Sequence, residues 1–459
     1  MSAMAYCAEC LEKLRAIDRL KEEITLLKAK LRYEERKGTE GYFGASTPSS
    51  KKPVKTNSLD EQQKKIGGAR PGHKGHGRPT VDVEAADRVQ RIEAEKICPD
   101  CGTEMKRKGT KRRTVIDCKP VQMEKIVFQL ERRRCPHCAR NMIARPPGVL
   151  PKCLYGNQLL THVAMQHYVH GVTLGQLEKQ TGVGYGSLID AMHQLARRLG
   201  GIPEKLVEEY RSAPVRHADE TGWRTDGHNG YAWLFATPNI RLYRFRKTRS
   251  AAVPKEVFGD QPLAGVLLVD RYAAYNRMPC YLQYCYAHLL RDVQGLEKEF
   301  PDNTEVAAFV QQLAPLLSSA MALRSLSLSK REFKRRAKSL KNQIIKTTNR
   351  QAQHPGIQKI QTLFREKAER LYHWADDPSI PAENNLAERE LRPLVVARKI
   401  SFGSQSDAGA RTREIIMTVL HTIKTRTSDV TSALKNFLDK YAEDPTIDPF
   451  QALFQSDSS

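Results

Sequence analysis

PVRHADETGW (Pro214–Trp223) and, further along, GVLLVD (Gly265–Asp270) decide the fold of this chain. Val266 to Val269 is a continuous apolar run without alternation, as expected of a strand buried on both faces. Pro214 to Ala218 ends on Asp219 in the way that this run ends on Asp270. Carboxylates at the ends of two strands of one sheet emerge from a rigid core into a cleft. They repel each other unless a cation lies between them, so the pair reads as a divalent-metal site suited to phosphoryl chemistry.

Working outward, the strand candidates are 214–218, 231–237 (YAWLFAT), 241–246 (RLYRFR), 266–269 and 281–285 (YLQYC), with a helix near 250–258. Asp226-Gly227-His228-Asn229-Gly230 and Pro238-Asn239 supply turn formers for two hairpins. Three antiparallel strands, a helix, then strand, helix and strand is the order of a ribonuclease H-like sheet. Residues 206–300 therefore read as the opening portion of such a core. Residues 301–380 turn to Leu, Lys, Arg, Gln and Ala at helical spacing, a helical insertion with His354-Pro355-Gly356 as a turn. Residues 381–405 return to the core. A helix starting near Glu383-Asn384 sets Asn384 and Glu388 on one face, and Arg389, Arg392, Arg398 and Lys399 surround that carboxylate with positive charge. Such crowding suits phosphate binding around a metal-ligating Glu, and a charged surface helix shares it. Residues 406–459 read as two amphipathic helices and an acidic tail.

Upstream lie four smaller regions. In 1–36, Ile17, Leu20, Ile24, Leu27 and Leu31 keep the spacing of a short coiled coil, or of one amphipathic helix. Residues 37–90 form a basic linker whose Arg70, His73, Lys74, His76 and Arg78 fit a phosphate-tracking arm and a solvated tether equally. In 91–150, Cys98-Pro-Asp-Cys101 and Cys135-Pro-His-Cys138 supply four thiolates for a tetrahedral structural zinc ribbon, with Ile126, Phe128 and Leu130 at the step of a strand face. Four protein ligands leave no open coordination position, so this metal holds the fold and does no chemistry. In 151–205, Leu174–Gln180, a break at Thr181-Gly182-Val183, and Ser187–Leu199 capped by Ser187 have the form of a helix-turn-helix.

A formal charge of +23 over 459 residues, from 75 Lys+Arg against 52 Asp+Glu, points to a polyanionic partner, nucleic acid ahead of membrane. No stretch approaches the roughly 18 apolar residues of a membrane span. The ten cysteines lack a secretory signal and fit a reducing, cytoplasmic compartment.

Together these motifs carry a resemblance. GARPGHKGHGRP, the cysteine knuckles, HADETGW, LLVDRYAAYN, CYAH and ENNLAERELRPLVVARKISFGS make the chain similar to transposases of the insertion sequence 66 family, from the N-terminal helix nearly to the C-terminus. The resemblance implies a multidomain α+β protein with a DDE active site in a ribonuclease H-like core. Its acids are Asp219, Asp270 and Glu388. It implies two Mg²⁺ or Mn²⁺ ions, hard cations that take oxygen ligands, and cleavage and strand transfer by in-line displacement. The partners implied are double-stranded DNA (terminal inverted repeats and target), further copies of the chain, and small accessory proteins of the same element. Glu220, Glu383 and Glu390 are expected to point to other faces than the three acids. His288 and Asn384 are candidates for support of the site; His217 and His288 also suit buried, hydrogen-bonded roles. Trp223, in a polar turn, is the better of two tryptophans for DNA contact, though both suit the core. A nuclease that cuts without joining, and a silent DNA-binding repressor, are the competing classes.

Overall fold

A computed structural model describes residues 145–455 continuously, residues 123–134 and 141–143 ahead of them, and isolated positions 13, 16, 17, 20, 21, 23, 24 and 84. The chain divides into two compact units, Met1–Pro53 with Phe128–Ser459, and Val54–Val127. Ile17, Leu20 and Ile24 of the expected coiled coil are helical and exposed. Leu27 and Leu31, the basic arm (Arg70, His73, Lys74, His76 and Arg78) and the knuckle cysteines (Cys98, Cys101, Cys135 and Cys138) lie outside the described residues.

Among the described residues of the cysteine-bearing region, strand pairing starts later than the alternation of Ile126, Phe128 and Leu130 predicts. These three are exposed and belong to no strand. Instead β1 (Arg132–Arg134) pairs antiparallel with β2 (Asn141–Ile143), flanking the second knuckle in sequence.

Four helices follow: α1 (Asn157–Tyr168), α2 (Leu174–Thr181), α3 (Tyr185–Leu199) and α4 (Ile202–Ser212). Thr173 and Gln176 form a capping box at the start of α2, and Gly182, at φ 69°, ends it in the left-handed region. Ser187 does not cap α3. It lies inside the helix, and the Glu178 carboxylate accepts from Tyr185 N–H instead at 2.8 Å. Leu188, Ala191, Met192, Leu195 and Leu199 form the buried stripe of α3, which faces the core and leaves Tyr185 and Asp190 outside.

The centre is a five-stranded sheet of β3 (Val215–Thr225), β4 (His228–Thr237), β5 (Ile240–Arg246), β6 (Val266–Val269) and β7 (Tyr281–Tyr284), in the order β5-β4-β3-β6-β7. Helix α5 (Ala252–Phe258) lies between β5 and β6 in sequence. The first three strands are antiparallel, and β3, β6 and β7 are mutually parallel. Asp226 (φ 51°) and Gly227 (φ 72°) alone make the first turn, with Thr225 opposite His228. Two left-handed residues match the strand twist, so this hairpin is tighter than its five turn-forming residues predict. Pro238-Asn239 makes the second, with Thr237 opposite Ile240. The tight first turn lets β3 run on to Thr225, placing Asp219 within the strand and not at its end.

Residues 301–380 are helical: α6 (Tyr286–Glu299) leads into α7 (Thr304–Ala322), α8 (Lys330–Thr348), α9 (Pro355–Glu366) and α10 (His373–Asp376). The expectation that no stretch approaches a membrane span needs correction. Thr304–Ser325 is long and apolar enough by length and composition, with a mean hydropathy of 1.5. One side of it, Val306, Phe309, Val310, Leu313, Leu317 and Ala320, is buried where α7 packs on α6 and α8.

Helix α11 (Asn385–Ser401) returns to the sheet and is followed by α12 (Asp407–Arg426), α13 (Val430–Glu443) and α14 (Pro449–Phe454). The amphipathic pattern expected after residue 405 does not hold for α12, which is buried nearly all round. Its side chains satisfy the outward N–H groups of edge strand β5: Thr422 accepts from Arg241 (3.0 Å), Thr418 from Tyr243 (3.0 Å) and Glu414 from Phe245 (3.0 Å). Four helical residues rise about 6.0 Å and two strand residues about 6.8 Å, so the two series stay in step over three bonds. An edge that would otherwise pair with another chain is closed by a helix.

Candidate active site

Strand register brings the two aspartates together. Val215, Arg216 and His217 pair with Val266, Leu267 and Leu268. Continued by two residues, that register sets Asp219 level with Asp270, on the same face because side chains at matched positions of parallel strands share a face. Pairing between β3 and β6 stops at His217, so the sheet is open beside both carboxylates. Asp219 bends back to accept from the Glu220 amide (2.8 Å), and Asp270 accepts from Tyr272 N–H (2.8 Å).

Glu220 corrects an expectation. Strand alternation predicts another face for its carboxylate, yet one ligand oxygen each of Asp219, Glu220 and Asp270 lie within 4.8 Å of one another. Alternation along β3 separates the Cβ atoms, but the longer Glu side chain can turn around the open sheet edge. Arg249 and Tyr275 hold it there, with Arg249 Nη2 at 2.5 Å from Oε1 and the Tyr275 hydroxyl donating to Oε2 at 2.6 Å. Glu383 and Glu390 are not in this group; Glu390 pairs with Arg241 at 3.2 Å.

Glu388 lies in the first turn of α11, where the helix dipole favours an anion. Its oxygen falls in an adjoining group with Cys285 Sγ and His288, again within 4.8 Å. Two helix starts meet here. Tyr286 N–H, opening α6, donates to Ala382 O at 2.8 Å, just before α11. Asn384 fastens α11 to the sheet: its amide nitrogen donates to Ala218 O (2.8 Å), its oxygen lies 2.8 Å from His217 Nδ1, and its backbone N–H reaches Cys285 Sγ (3.2 Å). Asn384 is 1 % exposed. It thus links the strand carrying Asp219 to the helix carrying Glu388.

Charges in this cleft act on one another. Burial, then Glu220, Asp270 and Glu388, raise the Asp219 carboxyl well above its ordinary range. Burial and Asp270 push Glu220 up to about 7. Burial raises Asp270 against the pull of Tyr272 N–H and three arginines, and raises Glu388 against Arg291, with Asp270 adding to the rise. Glu388 and the aspartates thus raise one another's carboxyls, while the group that Asp219 and Asp270 share within 4.8 Å is completed by Glu220 and not by Glu388. Arg291, which the motifs do not single out, holds Glu388: its Nη2 lies 3.3 Å from Glu388 Oε1 and 3.3 Å from His288 Nε2. Its signal in the sequence is position, one helical step beyond His288 on α6.

Other expected residues fall elsewhere. Arg389, Arg392 and Lys399 are exposed along α11. Arg398 turns inward and donates to Thr221 Oγ1 (2.9 Å) and Gly222 O (2.6 Å), tying α11 to β3. Trp223 is corrected: it is 1 % exposed, packed edge-on to Phe245, with its indole donating to Ser404 Oγ at 3.1 Å. The polar letters around it belong to a strand, not a turn. Trp233 is likewise core.

Comparison with known proteins gives two family matches. Residues 152–412, more than half of the chain, match the model described as transposase IS66 family, and residues 95–139, which include all four knuckle cysteines, match the zinc-finger binding domain of transposase IS66. Two relatives from Sinorhizobium fredii are similar over most of their length. The uncharacterized protein y4qI is 23% identical over 402 residues, covering 78% of this chain and 73% of that protein. The uncharacterized protein y4jD is 22% identical over 401 residues, covering 77% and 76%.

Proposed function

The chain belongs to the transposase IS66 family, and on that premise we propose that it cuts the DNA ends of its element and joins them to target DNA at a site built from Asp219, Asp270 and Glu388. The observation that supports this is a pair of aspartates level on neighbouring strands, with Glu388 in a second group at the start of α11 whose charge adds to the rise of Asp219. Mutually repelling, buried carboxylates fit a doubly charged, oxygen-preferring ion, and these three would hold Mg²⁺ or Mn²⁺. When bound, two such ions supply an activated oxygen nucleophile and a stabilised leaving oxygen for in-line displacement. The strand order, three antiparallel strands followed by two parallel ones beside the first, supports a ribonuclease H-like core.

The protein's own residues do the positioning. Arg249 and Tyr275 fix Glu220 beside Asp219 and Asp270, which tunes the negative potential that the ions meet. Arg291 and His288 flank Glu388 and offer donors to a non-bridging phosphate oxygen. Arg389, Arg392 and Lys399, with the basic arm of Arg70, His73, Lys74, His76 and Arg78, supply phosphate contacts that fix the duplex without reading it. Cys98, Cys101, Cys135 and Cys138 are the proposed ligands of a structural zinc ion, and helices α2 and α3 a proposed helix-turn-helix. We place the enzyme in the cytoplasm, acting as a homodimer or larger assembly, with accessory proteins of the same element as further partners.

Asp270→Asn tests the assignment. It should lower metal-dependent cleavage of an end duplex by orders of magnitude while leaving DNA affinity, which resides in Lys and Arg contacts, nearly unchanged. Full metal-dependent cleavage by this variant refutes it. Joining of a pre-cut end into plasmid DNA by the wild type separates a transposase from a nuclease that only cuts.

A further inference from the structure

Helix α11 ends on an aromatic residue in a conformation that aromatics avoid. Phe402 has φ 60°, the left-handed region normally left to glycine at a helix end, and is 73% exposed. Its own N–H bonds Arg398 O at 2.8 Å. The backbone after it is clamped to the first hairpin: Ser404 N–H donates to Arg224 O (2.9 Å) and Asp226 N–H to Ser404 O (2.9 Å). Gly403, at φ 135°, has no room for a Cβ, which would collide with the Arg224 carbonyl. The sheet therefore holds a large apolar ring out in solvent at a fixed place, and strain kept in this way marks a working surface.

The charge along α11, leading up to the ring, points to what meets it, although the hairpin beside the ring carries the exposed Asp226. Exposed positions along α11 are Asn385, Arg389, Arg392, Val396, Lys399 and Ile400, three cations and no acid, leading from the turn of Glu388 to Phe402. A second copy of this face would oppose cations to cations; a duplex offers phosphates to the arginines and bases to the ring.

Resting on the reading of the chain as a transposase, we propose that Phe402 stacks on or wedges between bases of the bound element end. Glu388 and Phe402 are separated by about 21 Å of helix at about 1.5 Å per residue, or roughly six base-pair steps of about 3.4 Å. With α11 laid along the duplex axis, as its row of cations suggests, the ring unstacks the duplex roughly six base pairs from the scissile phosphate.

The test uses the full chain and duplexes of the element's terminal repeat carrying 2-aminopurine at successive positions, roughly three to nine base pairs from the cleavage point. On binding, fluorescence should rise several-fold at one position near the sixth and stay low elsewhere. Phe402→Ala should abolish that rise at protein concentrations that keep the duplex saturated, and Phe402→Trp should restore it. An equal rise in Phe402→Ala, or none at any position with DNA bound, overturns the proposal and leaves the transposase reading standing. Loss of self-association in Phe402→Ala, seen by light scattering without DNA, also overturns it, because the ring then serves a second copy. Failure of the wild type to bind the duplex overturns both.

Discussion

A carboxylate at position 219 lies beside one at 270 because two short parallel strands share a register, and nothing in their side chains would bring them together otherwise. Burial then makes both reluctant to ionise, as it does Glu220, which is pushed up to about 7. Raised carboxyls of this kind favour their protonated form in the folded protein without metal, and a divalent ion competes with those protons. Folding without metal is therefore favoured by acid: the contribution of Glu220 is present below its ordinary value of 4.5 and lost as pH rises through about 7, and the raised carboxyls of Asp219 and Asp270 act in the same direction. The rise in melting temperature on adding Mg²⁺ should accordingly be small at acid pH and grow through neutrality; a shift independent of pH contradicts it. Arg291 competes with metal for Glu388, so Arg291→Ala should bind Mn²⁺ several-fold more tightly without DNA, yet cleave more slowly, as read by titration and by kcat. Phe402→Gly should keep or raise stability by up to about 1 kcal/mol, since glycine adopts this φ freely. Much at this scale is legible in the sequence. Asp219, Asp270 and Glu388 announce themselves by following apolar runs or sitting in dense charged motifs. Glu220 and Arg291 do not, because their roles depend on an open sheet edge and on a second helix start, neither of which is local in sequence.

Elements read best where their cause is local. Two hairpins follow from Asp-Gly and Pro-Asn turns, and β6 from an unbroken apolar run. Extents read less well: β3 outruns its expected end because pairing with β4 continues after pairing with β6 has stopped. The same longer strand makes Trp223 a core residue where a surface one is expected. Helix α12 departs from expectation for a different reason. Its buried Thr418, Thr422, Glu414 and His421 look like a solvated face until β5 is laid against them. Thr418→Val keeps the shape but leaves Tyr243 N–H buried without its acceptor, and should cost about 1–3 kcal/mol in chemical unfolding. A variant as stable as wild type would show that the helix closes this edge by packing alone.

At the scale of the whole molecule, acid sensitivity is spread through the core. Burial holds His167, His217 and His421 down to about 4, and they sit on α1, β3 and α12. Histidines depressed in this way bind fewer protons folded than unfolded, so their contribution is lost as pH falls below the ordinary 6.5. With saturating Mg²⁺ to neutralise the acids, each should cost roughly 1 kcal/mol by pH 5.5. Equal stability at pH 5.5 and 7.5 under those conditions would count against the buried, neutral assignment. The overall charge of +23 is legible from composition alone and fits a DNA partner. Which segment meets which DNA is not, since cations on an arm, a ribbon and a helix are written in the same letters. The central claim is that acids far apart in the chain share divalent ions. Diffraction from crystals soaked in Mn²⁺, recorded at the manganese absorption edge, tests it most directly. The account predicts anomalous peaks bridging Asp219 and Asp270 and touching Glu388, with Arg291 released from that glutamate. Peaks that avoid these carboxylates, or none at saturating metal, would contradict it.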